Sequence, residues 1–251
     1  MSKLDEVTSL AREFTKNSHH YVSAIIVAAG SGSRMNSKVT KQFMTLDGKP
    51  VIINTILAFE KSDYVNEIIV VAREDELILY PHLLKVYGVE KVKKVVPGAD
   101  TRQRSVLCGL EEISDKADYV AIHDGARPLI TPEQIKKVLL GAFTFRAATA
   151  ASKSKDTPKL VTKNGFIDKD LDRDTVWMMQ TPQVFMANLY RAAAYTAQKE
   201  NFEATDDCAL AHNAGFPVKI IDTGYENIKI TTPEDLKFAE LIMNERKPKN
   251  E

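Results

Sequence analysis

A run of small residues with two basic side chains beyond it is the first feature that could do chemistry. Residues 28–35 read AAGSGSRM and follow directly on an apolar run over residues 23–28 that predicts a strand. Small side chains let backbone N–H groups approach phosphate oxygens closely. Ligands of open α/β sheets bind at the carboxyl ends of parallel strands. With Arg34 and Lys41, the loop therefore predicts a site for a polyanion such as a phosphate group.

The charge distribution around this loop supports the same interpretation. Residues 14–46 contain no Asp or Glu, whereas an even scatter of the 34 acidic residues would place about four or five there. Met35 stands where the dinucleotide fingerprint has its third glycine, and no Gly-Lys-Ser/Thr of a Walker A loop follows. An ordinary strand-to-helix turn remains the alternative for the loop taken alone.

An acidic residue follows a second apolar run. Residues 119–123 read YVAIH, and Asp124 comes next. A carboxylate at the carboxyl end of a parallel strand can hold a hard cation that bridges phosphates, so Asp124 is a candidate Mg²⁺ ligand. The alternative is a turn-forming Asp that binds its own backbone. His123 is interpreted as structural because Mg²⁺ prefers oxygen ligands, and Arg127 as a partner of Asp124 or a support of the loop.

Two further segments carry candidate ligand contacts. Residues 97–105, with the sequence PGADTRQRS, follow a strand and begin a helix. Their glycine turn, helix N-terminal amides and Ser105 could form a hydrogen-bonding wall for a base or ribose; the alternative is an ordinary capped loop. Lys229 lies in an apolar run over 227–230, where alternation places it on one face, toward solvent or toward a pocket. Asp206 and Asp207 are interpreted as first-turn acids behind an N-cap at Thr205, not as a metal pair.

The elements that must position these residues alternate between short β-branched runs and longer amphipathic stretches. Strands are predicted over 67–72, 91–96, 119–123, 218–222 and 227–230. Helices are predicted over 51–61, 74–87, 102–113, 186–201 and 205–213, and from the capping sequences that begin at Thr131 and Thr232. This alternation predicts an α/β fold, a Rossmann-like twisted and mostly parallel sheet with helices on both faces.

A polar stretch over residues 152–175 breaks the alternation. Asn164-Gly165 lies within it, between the apolar pairs Leu160-Val161 and Phe166-Ile167. This pattern predicts a projecting β-hairpin arm. The chain is thus divided into an N-terminal extension (1–20), a single domain with its arm (21–245) and a tail (246–251).

Composition argues against several functional classes. The 251 residues include 34 basic and 34 acidic side chains, so the formal charge is zero and a nucleic-acid partner is not expected. No apolar run approaches the roughly 18 residues of a membrane span. Residues 1–20 lack the apolar core of a secretory signal, so the cytoplasm is the simplest location. Cys108 and Cys208 supply neither a disulfide framework nor a zinc pair.

At these motifs the sequence resembles the sugar-phosphate nucleotidyltransferase family, in particular the cytidylyltransferases that act on 2-C-methyl-D-erythritol 4-phosphate. The resemblance rests on residues 28–35, the triplet at 41–43 and the segments 97–105, 123–128 and 224–236, which occur in the family's order. It extends from Val22 to Met243. Ala99 departs from the family, which has a glycine there, and this bears on any backbone contact that needs a positive φ at position 99.

The resemblance implies roles for individual residues. It implies catalytic groups at Arg34 and Lys41, and acceptor-phosphate contacts at Thr157, Arg173 and Lys229. It implies nucleotide contacts at Ala28, Ala29, Gly30, Gly32, Ala99, Asp100, Arg102, Ser105 and Asp124. Mg²⁺ is the implied cofactor, on Asp124. In the family the arm crosses into a partner subunit, so the resemblance also implies a homodimer in which Thr157 and Arg173 serve the neighbour's site.

The implied reaction joins a phosphate oxygen of the acceptor to the α-phosphorus of CTP and releases pyrophosphate, in non-mevalonate isoprenoid synthesis. Ribitol 5-phosphate is the alternative acceptor, and the arm motifs at 156–159 and 171–177 favour methylerythritol phosphate. A non-catalytic nucleotide-binding protein is the second alternative. The joint presence of Arg34, Lys41 and Asp124 argues against it.

Overall fold

The computed structural model describes residues 20–30 and 40–247 and contains alternating strands and helices. The strands are β1 (Val22–Val27), β2 (Thr45–Leu46), β3 (Lys49–Pro50), β4 (Glu67–Ala72), β5 (Val92–Pro97), β6 (Tyr119–Asp124), β7 (Ala147–Lys153), β8 (Lys159–Val161), β9 (Ile167–Asp170), β10 (Trp177–Met186) and β11 (Lys219–Asp222). The α-helices are α1 (Val51–Glu60), α2 (Tyr80–Val86), α3 (Arg102–Leu110), α4 (Pro132–Phe145), α5 (Ala187–Lys199), α6 (Asp207–Asn213) and α7 (Pro233–Glu245). No helix within the described ranges is long and apolar enough to cross a membrane.

Seven strands form one sheet in the order β11-β7-β10-β6-β1-β4-β5. β1 pairs in parallel with β4 and β6, β4 with β5, and β7 with β11, whereas β10 runs antiparallel to both β6 and β7. Every residue of β4 and β6 is buried. Strands covered on both faces need apolar side chains throughout, which explains their continuous apolar runs. The predicted Rossmann-like α/β class is confirmed.

Helices cover both faces of the sheet. On one face α1 and α4 pack in the cluster that contains Ala24 and Ile26, and on the other face α3, α5 and α6 pack in the cluster that contains Ile25 and Val71. Neighbouring residues of β1 thus point to opposite faces, as the pleat requires. Because both faces are covered, the ends of the strands are the part of the sheet that a ligand can reach.

Some elements differ from the sequence-based expectation. β7 (AATAASK) and β10 (WMMQTPQVFM) lack a long β-branched run, so neither is predicted as a strand. They form because β6, β7, β10 and β11 supply hydrogen-bonding neighbours for one another. The strand predicted over 227–230 is wrong: this segment is irregular, and the Ile230 N–H bonds to the carbonyl of Ala126 at 2.8 Å. The N-cap of α6 is Asp206, not Thr205.

The predicted hairpin arm is confirmed. β8 and β9 pair antiparallel, and Gly165 in the connecting turn has a left-handed φ of 83°. Every residue from 159 to 170 is exposed. Phe166 and Ile167 are 72% and 67% exposed, and Leu160 and Val161 are half exposed. Neighbouring apolar side chains held in solvent are typical of an interaction surface.

Candidate active site

A cavity of 420 Å³ opens where the carboxyl ends of β1, β5 and β6 meet. Its volume is within the usual range for small-molecule sites. The walls come from the loop after β1, a short 3-10 helix at Lys41–Phe43, the β5–α3 loop, the end of β6 and the segment after β11. The lining residues are Val27, Ala29, Gly30, Lys41, Gln42, Ala99, Asp100, Thr101, Arg102, Ser105, Asp124, Ala126, Lys229 and Thr231.

Nine residues predicted from the sequence line this one cavity: Ala29, Gly30, Lys41, Ala99, Asp100, Arg102, Ser105, Asp124 and Lys229. Ala28 is buried beside them at the end of β1. Gly32 and Arg34 lie outside the described residues. Thr157 and Arg173 are exposed on the arm and do not line the cavity of their own chain.

Asp124 is the centre of charge in the cavity. Its Oδ2 lies 2.9 Å from Nζ of Lys229 and 3.6 Å from Nε of Arg127, and its Oδ1 lies 3.2 Å from Nε of Arg102. Burial would raise the pKa of Asp124, but the three cations outweigh it and hold the pKa well below its usual range. Three cations thus contact Asp124, and only one of them, Arg102, also pairs with a second carboxylate, Asp207, so positive charge is in excess around Asp124, which suits an anionic ligand.

Gln42 fixes the start of the loop that follows β1, the nucleotide loop of residues 28–35, of which the structure describes residues 28–30. Its side chain is 2% exposed, and its Nε2 donates to the carbonyl of Ala28 at 2.8 Å and to that of Gly30 at 3.4 Å. The two carbonyls are thereby held toward Gln42, which limits the rotation of the peptide units between them. The motif at 41–43 contains this residue, but nothing in the sequence shows that its side chain reaches back over the loop.

His123 supports Asp124 from behind. The ring is fully buried, and burial lowers its pKa to about 3, so it is neutral near pH 7. Thr181 Oγ1 accepts the Asp124 N–H at 3.0 Å. Because the Arg127 carbonyl beside Nε2 can only accept, the proton of the neutral ring is on Nε2, and Thr181 Oγ1 donates to Nδ1 at 3.0 Å. Nε2–H then donates to the carbonyl of Arg127 at 3.2 Å. The histidine has the structural role that the sequence predicts, and Thr181 is a supporting residue that sequence reasoning missed.

The β5–α3 loop is held by its own hydroxyl groups. Thr101 caps α3 by accepting the Arg104 N–H at 3.1 Å. Ser105 Oγ accepts the Ala99 N–H at 3.0 Å and donates to the carbonyl of Thr101 at 2.8 Å, so this hydroxyl shapes the loop. Ala99 does not have a positive φ. The alanine in place of the family's glycine is therefore accommodated without strain.

Gly98 is the residue of this loop that tolerates no side chain. A Cβ at position 98 would lie 2.3 Å from the Cβ of Ala29 and 2.9 Å from Oγ of Ser105. We expect Gly98→Ala to push the nucleotide loop outward, to weaken binding of the CTP that the sequence resemblance implies, and to destabilise the protein by about 1–3 kcal/mol. Calorimetric titration with CTP and urea unfolding measure the two effects. The matched control is Gly109→Ala, whose added Cβ would crowd Ile25 and Val71 in the core away from the cavity and should cost stability without changing CTP affinity; an equal loss of affinity in both variants would contradict the steric explanation.

A buried acid anchors the residue before Lys41. Thr40 Oγ1 donates to Oε1 of Glu76 at 2.6 Å, and Glu76 is 6% exposed. Burial raises the pKa of Glu76, while the bond from Thr40 and the charge of Arg73 oppose that rise. A folded-state pKa above the unfolded value favours folding below the unfolded pKa, and this contribution is lost as the pH rises through the folded pKa.

Glu76→Gln should therefore raise the free energy of unfolding near pH 7, since the neutral amide keeps the acceptor for Thr40 without the buried charge. The advantage should disappear near pH 4, where the native glutamic acid is itself protonated. Urea unfolding of both proteins at the two pH values measures this. A variant less stable than the parent at pH 7 would show that the ion pair with Arg73 dominates instead.

Fold and cavity together define a class of protein. A mostly parallel α/β sheet carries, at the ends of its strands, a glycine-containing loop and basic side chains around one carboxylate. Backbone amides and fixed cations at this place bind phosphates and stabilise charge in phosphoryl and nucleotidyl transfer. The arrangement is that of a nucleotidyltransferase.

The chain belongs to the IspD family, whose model, described as 2-C-methyl-D-erythritol 4-phosphate cytidylyltransferase, matches residues 22–245. A relative of that name from Alkaliphilus metalliredigens is 42% identical over 227 residues, which are 90% of this chain and 94% of the relative. One from Lachnoclostridium phytofermentans is 44% identical over 227 residues, 89% and 97% of the two chains. The crystal structure of 4-diphosphocytidyl-2C-methyl-D-erythritol synthase from Anaerococcus prevotii is 32% identical, with a TM-score of 0.81 over 90% of this chain and 97% of that one.

Proposed function

We propose that this chain transfers the CMP moiety of CTP to 2-C-methyl-D-erythritol 4-phosphate, yielding 4-diphosphocytidyl-2-C-methyl-D-erythritol and pyrophosphate in the non-mevalonate pathway. Membership of the family supports both substrates. The observation that carries the chemistry is that Lys41 lines the same cavity in which Arg102 and Lys229 pair with Asp124. Ribitol 5-phosphate remains the acceptor against which the proposal is tested.

The nucleophile of this reaction needs no general base. A phosphate monoester has a second pKa of about 6 and is ionised near neutral pH. The acceptor oxygen can therefore attack the α-phosphorus directly, and the P–O bond to the leaving pyrophosphate breaks. The contacts of His123 fit a reaction without a general base, because the ring is neutral and Thr181 and Arg127 engage both of its nitrogens.

The barrier to this reaction is electrostatic. A dianion must approach a triphosphate, and negative charge grows on the leaving pyrophosphate. Lys41 and Lys229 line the same cavity and supply fixed positive charge where these anions meet. Lys229 is paired with Asp124 at 2.9 Å and is thereby positioned before a ligand arrives. The loop held by Gln42 aligns the phosphates through its backbone amides.

Mg²⁺ is part of the proposal, and Asp124 is the residue that would hold it together with the nucleotide phosphates. Mg²⁺ is usually bound by one or two carboxylates, phosphate oxygens and water. A single buried carboxylate facing the cavity fits that donor set. Among the described residues no group of three or more His, Cys, Asp or Glu forms an all-protein cage. When bound, the ion supplies charge neutralisation on the phosphates.

The arm supports a homodimer as the working unit. Its apolar side chains are exposed, and Thr157 and Arg173 do not line the cavity of their own chain. Two copies related by a two-fold axis would bury these side chains and bring the arm of one to the cavity of the other. In that arrangement Thr157 and Arg173 bind the acceptor phosphate in the partner's site.

Pyrophosphate release tests the proposed reaction. The full-length protein is given CTP and Mg²⁺ with either 2-C-methyl-D-erythritol 4-phosphate or ribitol 5-phosphate, and pyrophosphate is followed by a coupled assay. We expect release with the methylerythritol compound at a far higher kcat/KM. Pyrophosphate release with ribitol 5-phosphate alone would show that ribitol 5-phosphate is the acceptor in place of the methylerythritol compound. Binding of CTP without release in either mixture would contradict the assignment as an enzyme of this reaction.

A further inference from the structure

A buried carboxylate that has no part in the proposed reaction, Asp207, pairs with Arg102 outside the cavity. Arg102 Nη1 donates to Oδ2 of Asp207 at 2.8 Å, while its Nε donates to Oδ1 of Asp124 at 3.2 Å. Asp207 is 1% exposed, and its Oδ1 accepts from the hydroxyl of Tyr190 at 2.6 Å. Tyr190 is itself buried and stacks on Phe185. Both oxygens of Asp207 are therefore engaged, one of them by an arginine of the cavity wall.

The two carboxylates that share Arg102 differ in what else can reach them. Asp124 lines the cavity, where a nucleotide and its cation would engage it. Asp207 lies in the first turn of α6 and does not line the cavity. Without its charge, Asp124 would be the stronger partner left to Arg102, and the guanidinium fork favours two parallel bonds to one carboxylate. Arg102, which already donates one hydrogen bond to Asp124 through Nε, would then turn the rest of its guanidinium to Asp124 and away from the nucleotide.

We propose that Asp207 is a positioning residue that holds the Arg102 guanidinium in the cavity wall, so that Arg102 shares only its Nε–H with Asp124 and can meet the nucleotide. Tyr190 fixes the Asp207 carboxylate in turn. This inference rests on the proposed function only in requiring that the cavity binds CTP. It is independent of the acceptor.

The test is CTP affinity, measured by calorimetric titration without added Mg²⁺. Asp207→Asn keeps an acceptor for Tyr190 and removes the charge opposite Arg102. We expect the Kd for CTP to rise about tenfold, the scale of one charge-assisted hydrogen bond, with the KM for CTP rising alike and kcat changing far less. Tyr190→Phe should act in the same direction by about threefold. Thermal unfolding confirms that each variant is folded.

Two control experiments distinguish a positioning role of Asp207 from a general disturbance of the structure. Asp206→Asn alters the neighbouring acid, whose contacts are the Ala209 amide and the Gln183 side chain, and should leave the Kd unchanged. In an Arg102→Ala background, Asp207→Asn should have no further effect, because the residue acts through Arg102.

A wild-type Kd in both Asp207→Asn and Tyr190→Phe would overturn the proposal, as would an equal loss in Asp206→Asn or an additive loss in the Arg102→Ala background. If Asp207→Asn does not fold, Tyr190→Phe with and without Arg102→Ala carries the same test. The affinity measurement needs no turnover. A shifted Kd in a protein that releases no pyrophosphate would therefore contradict the proposed reaction but support the positioning role of Asp207.

Discussion

Replacing Lys41 with alanine should lower kcat by about two to three orders of magnitude at saturating substrates, the cost of one preorganised donor to transition-state charge. Lys41 begins the short 3-10 helix beside the nucleotide loop and lines the cavity with Gly30 and Asp124. Charge on the triphosphate grows as the bond to pyrophosphate breaks, so a cation fixed there stabilises the transition state more than the bound substrates. The KM for CTP should therefore change much less than kcat.

Steady-state pyrophosphate release at saturating CTP and acceptor measures this effect. Lys237→Ala is the matched control, because it removes the same charge from an exposed position on α7, away from the cavity. Its kcat should equal that of the parent. A Lys41→Ala enzyme whose kcat stays within about threefold of the parent would show that Lys41 does not act on the transition state.

The fold could be predicted from the sequence wherever burial leaves a periodic signature. β4 and β6 are covered on both faces, so their sequences are apolar runs that predict strands. The start of α4 is predicted by Thr131 and Gln134, which form the expected capping box. β7 and β10 carry no such signature. They are strands because each lies between hydrogen-bonding neighbours in the sheet, a property of the assembled structure and not of the local sequence.

The candidate site likewise contains residues that the local sequence predicts and residues whose role only the folded structure shows. Glycine turns, Lys41 and Asp124 stand in short local motifs, and the rule that ligands bind at the carboxyl ends of strands places them together. Gln42, Thr181 and Asp207 escape prediction because their partners lie 14, 57 and 105 positions away in sequence. The N-cap of α6 is a further position that the sequence alone could not predict. Thr205 and Asp206 are both good N-cap residues, and the structure uses Asp206.

Mixing two inactive variants should restore activity if the arm of one subunit completes the site of the other. Arg173→Ala is expected to cost about a hundredfold in activity, because the proposed function places this cation on the acceptor phosphate. In a mixed dimer of Lys41→Ala and Arg173→Ala subunits, one site loses both groups and the other keeps both. Random reassortment of equal amounts should therefore recover about a quarter of the parent activity.

Subunits carrying different affinity tags are co-expressed, and pyrophosphate release is compared with that of each variant alone. The matched control pairs Lys41→Ala with Asp124→Asn. Both residues line the cavity of one chain, so every site of that mixed dimer lacks one of them and no activity should return. If the Lys41→Ala and Arg173→Ala mixture stays at the level of its parents, Arg173 does not serve the neighbouring subunit, and its exposed position on the arm needs another explanation.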